Sequence, residues 1–255
     1  MLTEPLFYAA ALPAVALYGL SKGGFSGVGL LSIPLMALVM SPVTAAAIVL
    51  PVLLVQDAYT VYAFRNTYDR TTLGYILPGG ALGIVLGTLT AAYVTDSVIR
   101  VAVGLLAVGF SLNAWFGAKA AAGAVRPHNR LAATALGTAA GYSSFVIHAG
   151  GPPYNVYALP RVSSRDLFVG TSAIFFALAN LVKVPLFLSL GQLSIENLYL
   201  SAVLMPFAIA ANMAGIWLVK RVPTALFYRI IYGLTFLIGL KLLADGLAIL
   251  PLAKA

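Results

Sequence analysis

The chain has 255 residues, 61% hydrophobic and only 9% charged, with a mean hydropathy of +0.98. A soluble domain is about 25% charged, so these charges are too few to cover a water-soluble surface, and apolar runs from end to end make this a polytopic membrane protein. The net charge of +8 sits in short loops rather than among stacking aromatics, which argues against nucleic acid, and the absence of cysteine excludes disulfides, thiolate metal sites and cysteine nucleophiles.

The runs have helical lengths, so the spans are expected to be helices and not the ten-residue strands of a barrel. Met1-Leu2-Thr3-Glu4 carries no positive n-region, so no cleaved signal peptide is expected. Leu6–Leu20 is apolar but, at about 22 Å as a helix, short of a full span. Ser21-Lys22-Gly23-Gly24-Phe25-Ser26-Gly27-Val28-Gly29 then breaks it, with four glycines, two serines and a lysine, before Leu30–Val39 resumes. This reads as a broken helical hairpin dipping into the membrane. Pro42–Phe64 is a full-length helix carrying Gln56 and Asp57. Thr72–Val94 holds Gly83-x-x-x-Gly87, a pattern for close helix packing. Val98–Gly117 follows, and the polar segment Lys119–Arg130 reads as a midpoint linker.

The pattern then recurs. Leu131–Ile147 is broken by His148-Ala149-Gly150-Gly151-Pro152-Pro153, and Tyr154–Leu159 resumes. Long helices are expected over Asp166–Leu190, Asn197–Val219 and Phe227–Leu250. An offset of 123 places Gly27 on Gly150 and Asp57 on Asn180, drifting to 129 by Gly104 and Gly233. The reading is an all-α protein of two inverted repeats, each a broken hairpin plus three transmembrane helices: residues 1–118, a linker 119–130, and residues 131–255. If each hairpin returns to its side of entry, Arg65, Arg70, Lys119, Arg126, Arg130, Arg161, Arg165, Lys220, Arg221 and Arg229 share one side, and only Arg100 and Lys254 fall on the other. The positive-inside rule makes the rich side cytoplasmic and both termini periplasmic.

Charges inside spans cost about 3 kcal/mol each and mark pathways. Lys22 at the first break is the leading candidate. The open N–H groups of Gly24 and Gly27 at a helix start, with the Ser26 hydroxyl, favour an anion; the plainer alternative is a snorkelling lysine among packing glycines. At the second break, His148 is a candidate for anion binding or proton transfer, with Gly150, Gly151, Tyr154 and Asn155 beside it, or it satisfies a carbonyl. Asp57 reads either as a proton relay or as an ion pair with Lys22 or Arg65. Thr171, Ser172, Asn180 and Lys183 share one helix, and the plainer account of Lys183 is snorkelling to the outer interface. Lys241 and Asp245, at i and i+4, read as a local ion pair. Gly24–Gly29 loosely matches a nucleotide loop, but no strand–helix–strand unit surrounds it. No clustered metal ligands and no nucleophile elbow occur, so no metal and no cofactor are expected.

Gly23-Gly24-Phe25-Ser26-Gly27-Val28-Gly29-Leu30-Leu31-Ser32-Ile33-Pro34 resembles the first glycine-rich signature of the sulfite exporter TauE/SafE permeases. Gly170-Thr171-Ser172-Ala173 with Asn180 and Lys183, then Gly191-Gln192-Leu193, Lys220-Arg221 and Arg229-Ile230-Ile231-Tyr232, resemble its second-half signature. The chain departs from the family where Val28 interrupts the triple glycine and where the second signature becomes His148–Pro153. The resemblance implies a bacterial inner-membrane carrier of sulfite or an organosulfonate. The expected function is therefore secondary transport of a small sulfur anion by alternating access, with Asp57 and His148 as proton-coupling candidates. The alternatives are a passive anion channel, or a membrane enzyme or assembly factor. The expected partners are the anionic substrate and the bilayer, with a homodimer left open and no nucleic acid.

Overall fold

The computed structural model describes residues 4–25, 29, 32–36, 39–40, 42–90, 96–116, 126–146, 148, 150–189, 191 and 193–249. These residues form ten α-helices and no strand: α1 Pro5–Lys22, α2 Ser32–Met36, α3 Pro42–Ala63, α4 Arg70–Thr90, α5 Asp96–Phe116, α6 Arg130–Val146, α7 Gly151–Ala158, α8 Arg165–Ser189, α9 Ile195–Arg221 and α10 Thr224–Ile249. Among the described residues, four helices are long and apolar enough to cross a membrane: Thr44–Ala63, Arg70–Thr90, Arg165–Ser189 and Ile195–Arg221. Large apolar side chains such as Leu89, Leu181, Phe207 and Leu237 are exposed along these and other helices, as a lipid-facing surface requires.

Local sequence sets the helix ends. Asp69 Oδ1 accepts the Thr72 amide at 2.8 Å to start α4, and Asn129 Oδ1 accepts the Ala132 amide at 3.0 Å to start α6. Ser194 caps α9 by accepting the Asn197 amide, with Glu196 in the first turn and Lys220 and Arg221 in the last, complementing the helix dipole. Pro13, Pro51, Pro78, Pro185 and Pro206 lie inside helices, which neighbouring helices in a membrane bundle tolerate.

Small residues decide how the helices pair. A Cβ on Gly83 would overlap the Thr138 carbonyl oxygen, and one on Gly141 would overlap that of Gly80, so α4 and α6 run in parallel with their backbones touching. Gly19 meets Ala211 and Asn212 while Gly23 meets Gly215, which lays α1 parallel to α9. Gly104 meets Gly239 and Gly246 meets Ser97, which lays α5 antiparallel to α10. Exchanging α1–α5 with α6–α10 maps these pairings onto one another. The α4·α6 pair becomes α9·α1, α3·α9 becomes α8·α4, and α3·α8 and α5·α10 map onto themselves.

Both interrupted segments fold back. Ser32 Oγ donates to the Ala14 carbonyl at 2.8 Å, and Gly29 sits against Tyr18 and Ser21, so α2 returns along α1. Gly150 sits against Ala140 and Ser144, and Tyr157 reaches His128 just before α6, so α7 returns along α6. Because α1 runs with α9 toward Arg221 while α6 runs with α4 away from Arg70, the hairpins approach from opposite ends. Contacts between Lys220 and Phe64, Arg165 and Val222, Arg126 and Pro160, and His128 and Tyr75 gather Arg65, Arg70, Arg126, Arg130, Arg161, Arg165, Lys220 and Arg221 at one end. Arg100 lies at the other end, 3.8 Å from Asp245, which also pairs with Lys241 at 2.7 Å as the i, i+4 spacing predicts.

The α4–α6 contact gives a direct test. Gly83→Val must push two backbones apart and should lower the melting temperature, for an overpacking cost of about 1–3 kcal/mol. Gly109, whose Cβ position is open, should accept alanine with no loss of stability. Thermal unfolding of the two purified variants in detergent checks both.

Candidate functional site

The site forms where the two breaks meet the middle of α3 and α8. α1 stops because Gly23 packs against the Gly215 backbone, and Gly24 takes a φ of +134°, which L side chains rarely adopt. That stop leaves Lys22 at the helix end, facing α3. Its Nζ lies 2.5 Å from Asp57 Oδ1. The other carboxylate oxygen accepts from Asn180 Nδ2 at 2.7 Å. Asn180 Oδ1 accepts from Lys183 Nζ at 3.3 Å, and Lys183 also donates to the Ser144 carbonyl at 2.8 Å and to Ser144 Oγ at 2.9 Å. One polar chain thus runs from α1 through α3 and α8 to the end of α6.

Asp57 is 1% exposed and Lys183 2%. Burial at that level excludes snorkelling, the plainer account of Lys183; the side chain is held inside because three oxygens replace its water. Lys22 is likewise held inside, by Asp57, with the Phe176 ring centroid 5.3 Å from its Nζ. Lys22 is paired with Asp57, whereas the partners of Lys183 are the neutral oxygens of Ser144 and Asn180. A charge there is costly unless it is paired, so the arrangement favours a bound anion.

A cavity borders this polar chain. Of the residues singled out from sequence, Lys22, His148, Gly150, Gly151, Asn180 and Lys183 line it. His148 has a φ of +55° and its Nδ1 donates to the Ser144 carbonyl at 3.2 Å. The cavity also takes Tyr18, Ser21, Gly29, Leu53, Ser144, Ser172, Ala173 and Phe176. The Tyr18 hydroxyl is buried with no hydrogen-bond partner, and so is free to donate to a ligand. The repeat offset that pairs Asp57 with Asn180 also pairs Ser21 with Ser144 and Leu53 with Phe176, so extending the alignment finds four of the additional wall residues. Nothing in the sequence singles out Tyr18.

Asp57 borders the cavity only through its partners. Four other candidates stand away from it. Gly24 packs on Val219 and Val169. Tyr154 is sealed among Phe168, Phe175 and Phe176 with its hydroxyl unpartnered. Asn155 Nδ2 donates to Thr235 Oγ1 at 3.3 Å. Thr171 Oγ1 accepts the Asp69 amide at 2.8 Å and donates to the Leu167 carbonyl, tying α8 to the start of α4. Ser26 and Gly27 lie outside the described residues. A further buried layer joins Asn212 to Thr60 and to the Gln56 carbonyl, while Gln56 Nε2 donates to the Ala208 carbonyl at 3.0 Å; it fixes α3 to α9 next to the ion pair. Among the described residues no three metal-ligating side chains come together.

The family model for the sulfite exporter TauE/SafE matches residues 11–242, nearly the whole chain. The chain belongs to that family of membrane transporters. No curated protein and no solved structure matches it significantly.

The ion pair predicts a non-additive mutational pattern. Lys22→Met strands a buried carboxylate and Asp57→Asn strands a buried ammonium, so each should cost about 3–5 kcal/mol. The double variant should recover much of that loss in a thermal-unfolding cycle. Tyr154→Phe, which removes only an unpartnered hydroxyl, should leave the melting temperature unchanged or raised.

Proposed function

We propose, from membership of the sulfite exporter TauE/SafE family, that the chain exports a small sulfur-containing anion such as sulfite or an organosulfonate across the inner membrane. It works by alternating access between two inverted halves, residues 1–118 and 131–255, with the cation-rich end cytoplasmic and both termini periplasmic. The observation that carries the reading is a cavity lined by lysines from both halves, Lys22 paired with Asp57 and Lys183 linked to the same carboxylate through Asn180. Support for two inverted halves comes from the hairpins entering from opposite ends and from the exchange symmetry of the helix contacts. Support for the orientation comes from the gathering of arginines and lysines at one end.

In the proposed cycle the anion enters the cavity and takes the place of Asp57 on Lys22. Hydroxyls of Tyr18, Ser21 and Ser144 and the His148 ring complete its shell, joined by Ser26 and Gly27 of the first break, while Gly24, whose amide bonds the Ser21 carbonyl, supports that break from behind. Gly150 and Gly151 let the second hairpin approach closely. Asn180 and Lys183 hold the opposite wall. Tyr154, Asn155 and Thr171 position that wall from behind. Released from Lys22, the Asp57 carboxylate takes a proton, because an unpaired buried charge is too costly to leave. Anion and proton movements are thereby coupled, with His148 as a second acceptor. Each half then closes one end of the cavity as the other opens.

Transport by purified protein in liposomes tests this. Sulfite flux should saturate and should fall when the pH gradient is collapsed; non-saturating currents indifferent to the gradient would identify a passive channel instead. Lys22→Ala should weaken sulfite binding at least tenfold, a loss of about 1.4 kcal/mol or more. Lys241→Ala, which disrupts only an exposed pair, should leave it nearly unchanged; equal effects would remove Lys22 from the site.

A further inference from the structure

A second cavity lies apart from the central one, at the cation-rich end between α4 and α6. It is open to the surface and is lined by Arg70, Thr71, Gly74 and Tyr75 of α4, near Pro78, and by Arg130 and Thr134 of α6, all exposed except the half-buried Tyr75. Two guanidinium groups from two helices thus share one recess. Neither is paired with a carboxylate among the described residues. Arg70 rests 5.7 Å from the Tyr68 ring, and the acid nearest in sequence, Asp69, spends one carboxylate oxygen on the Thr72 amide. The starts of both helices are capped by Asp69 and Asn129, so the positive charge here comes from the side chains rather than from open backbone amides.

One wall of the recess is fixed by packing. Its back wall, Tyr75, is stacked on His128 at 4.9 Å, and His128 is fixed in turn by the Tyr157 hydroxyl at 3.1 Å. At Gly74 it opens to the surface, with nothing within 4 Å of a Cβ placed there. Below it, the outward face of α4 continues as exposed Leu82, Val85, Leu86 and Leu89. A ligand that suits this shape has an anionic head for two arginines and threonine hydroxyls, and an apolar tail for the stripe beneath.

We propose that this recess binds the phosphate of an anionic phospholipid from the inner leaflet, with an acyl chain lying along α4. Arginine fits the phosphate oxygens in a bidentate manner, and basic recesses between transmembrane helices on the cytoplasmic side select anionic headgroups. α4 is also the helix whose backbone touches α6 of the second hairpin. A lipid bridging Arg70 and Arg130 therefore clamps the two helix starts together.

The test uses the full-length protein in mild detergent, with melting temperature and retained lipid by native mass spectrometry as readouts. The lipids are phosphatidylglycerol and phosphatidylethanolamine, and inorganic phosphate is the control. Phosphatidylglycerol should be retained with a preference of at least about fivefold and should raise the melting temperature more. The Arg70→Gln, Arg130→Gln double variant should lose that preference. A Lys220→Gln, Arg221→Gln variant at the same end should keep it. Equal retention of both lipids by the unaltered protein, or a preference that survives in the Arg70, Arg130 variant, overturns the proposal. So does a shift reproduced by inorganic phosphate alone, which would make this a free-anion site.

Discussion

A lysine ammonium held among membrane helices must be matched by a negative charge, and in this chain Asp57 supplies it to Lys22. The pair is the point on which the interior is organised. It joins the end of the first broken helix to the middle of α3, and through Asn180 to α8. Lys183 then continues the same polar chain to Ser144 at the end of α6. Without the carboxylate, two ammonium groups would face each other across apolar surroundings, at a cost that neither helix propensity nor packing could offset. With it, Lys22 is neutralised, while Lys183 is held by the neutral oxygens of Ser144 and Asn180.

Bringing those groups together depends on glycine. Lys22 sits at a helix end because Gly23 admits the backbone of α9 and Gly24 adopts a conformation barred to larger residues. Ser144 reaches Lys183 because α6 lies directly on α4, through Gly79, Gly83, Gly137 and Gly141. In a bilayer, where helices gain little from hiding apolar surface against one another, such close contact is a main source of association. The same residues therefore stabilise the bundle and place the site. The buried Gln56–Thr60–Asn212 layer does similar work between α3 and α9, pairing most of the polar groups that lipid could not.

Much of this was legible in the sequence because membranes impose simple rules. Few charges, helical run lengths and glycine-rich breaks at Lys22 and His148 gave the all-α membrane class and located both hairpins. Six of the proposed binding residues line one cavity. Residues chosen only because they sit near a break fared differently. Tyr154 and Asn155 follow His148 closely in sequence, but α7 is a short helix wrapped by α6, α8 and the aromatic core, so their side chains turn inward. Lys183 looked like an interface lysine because distance along a helix says nothing about which face is buried. Its partners, Ser144 and Asn180, come from a tertiary contact that periodicity does not encode. Tyr18 was unreadable for the same reason: one tyrosine in an apolar run looks like core until the neighbouring helix leaves its hydroxyl facing a cavity.

In the proposed transport cycle a substrate anion takes the Asp57 position on Lys22 and the carboxylate takes a proton in return. Proton uptake per anion bound measures that exchange directly, by titrating sulfite into the purified protein calorimetrically in buffers of different ionisation enthalpy. Net proton uptake on binding is expected, lost when Asp57 is replaced by asparagine. Binding with no proton uptake, or with the same uptake in the Asp57→Asn protein, would rule out that exchange.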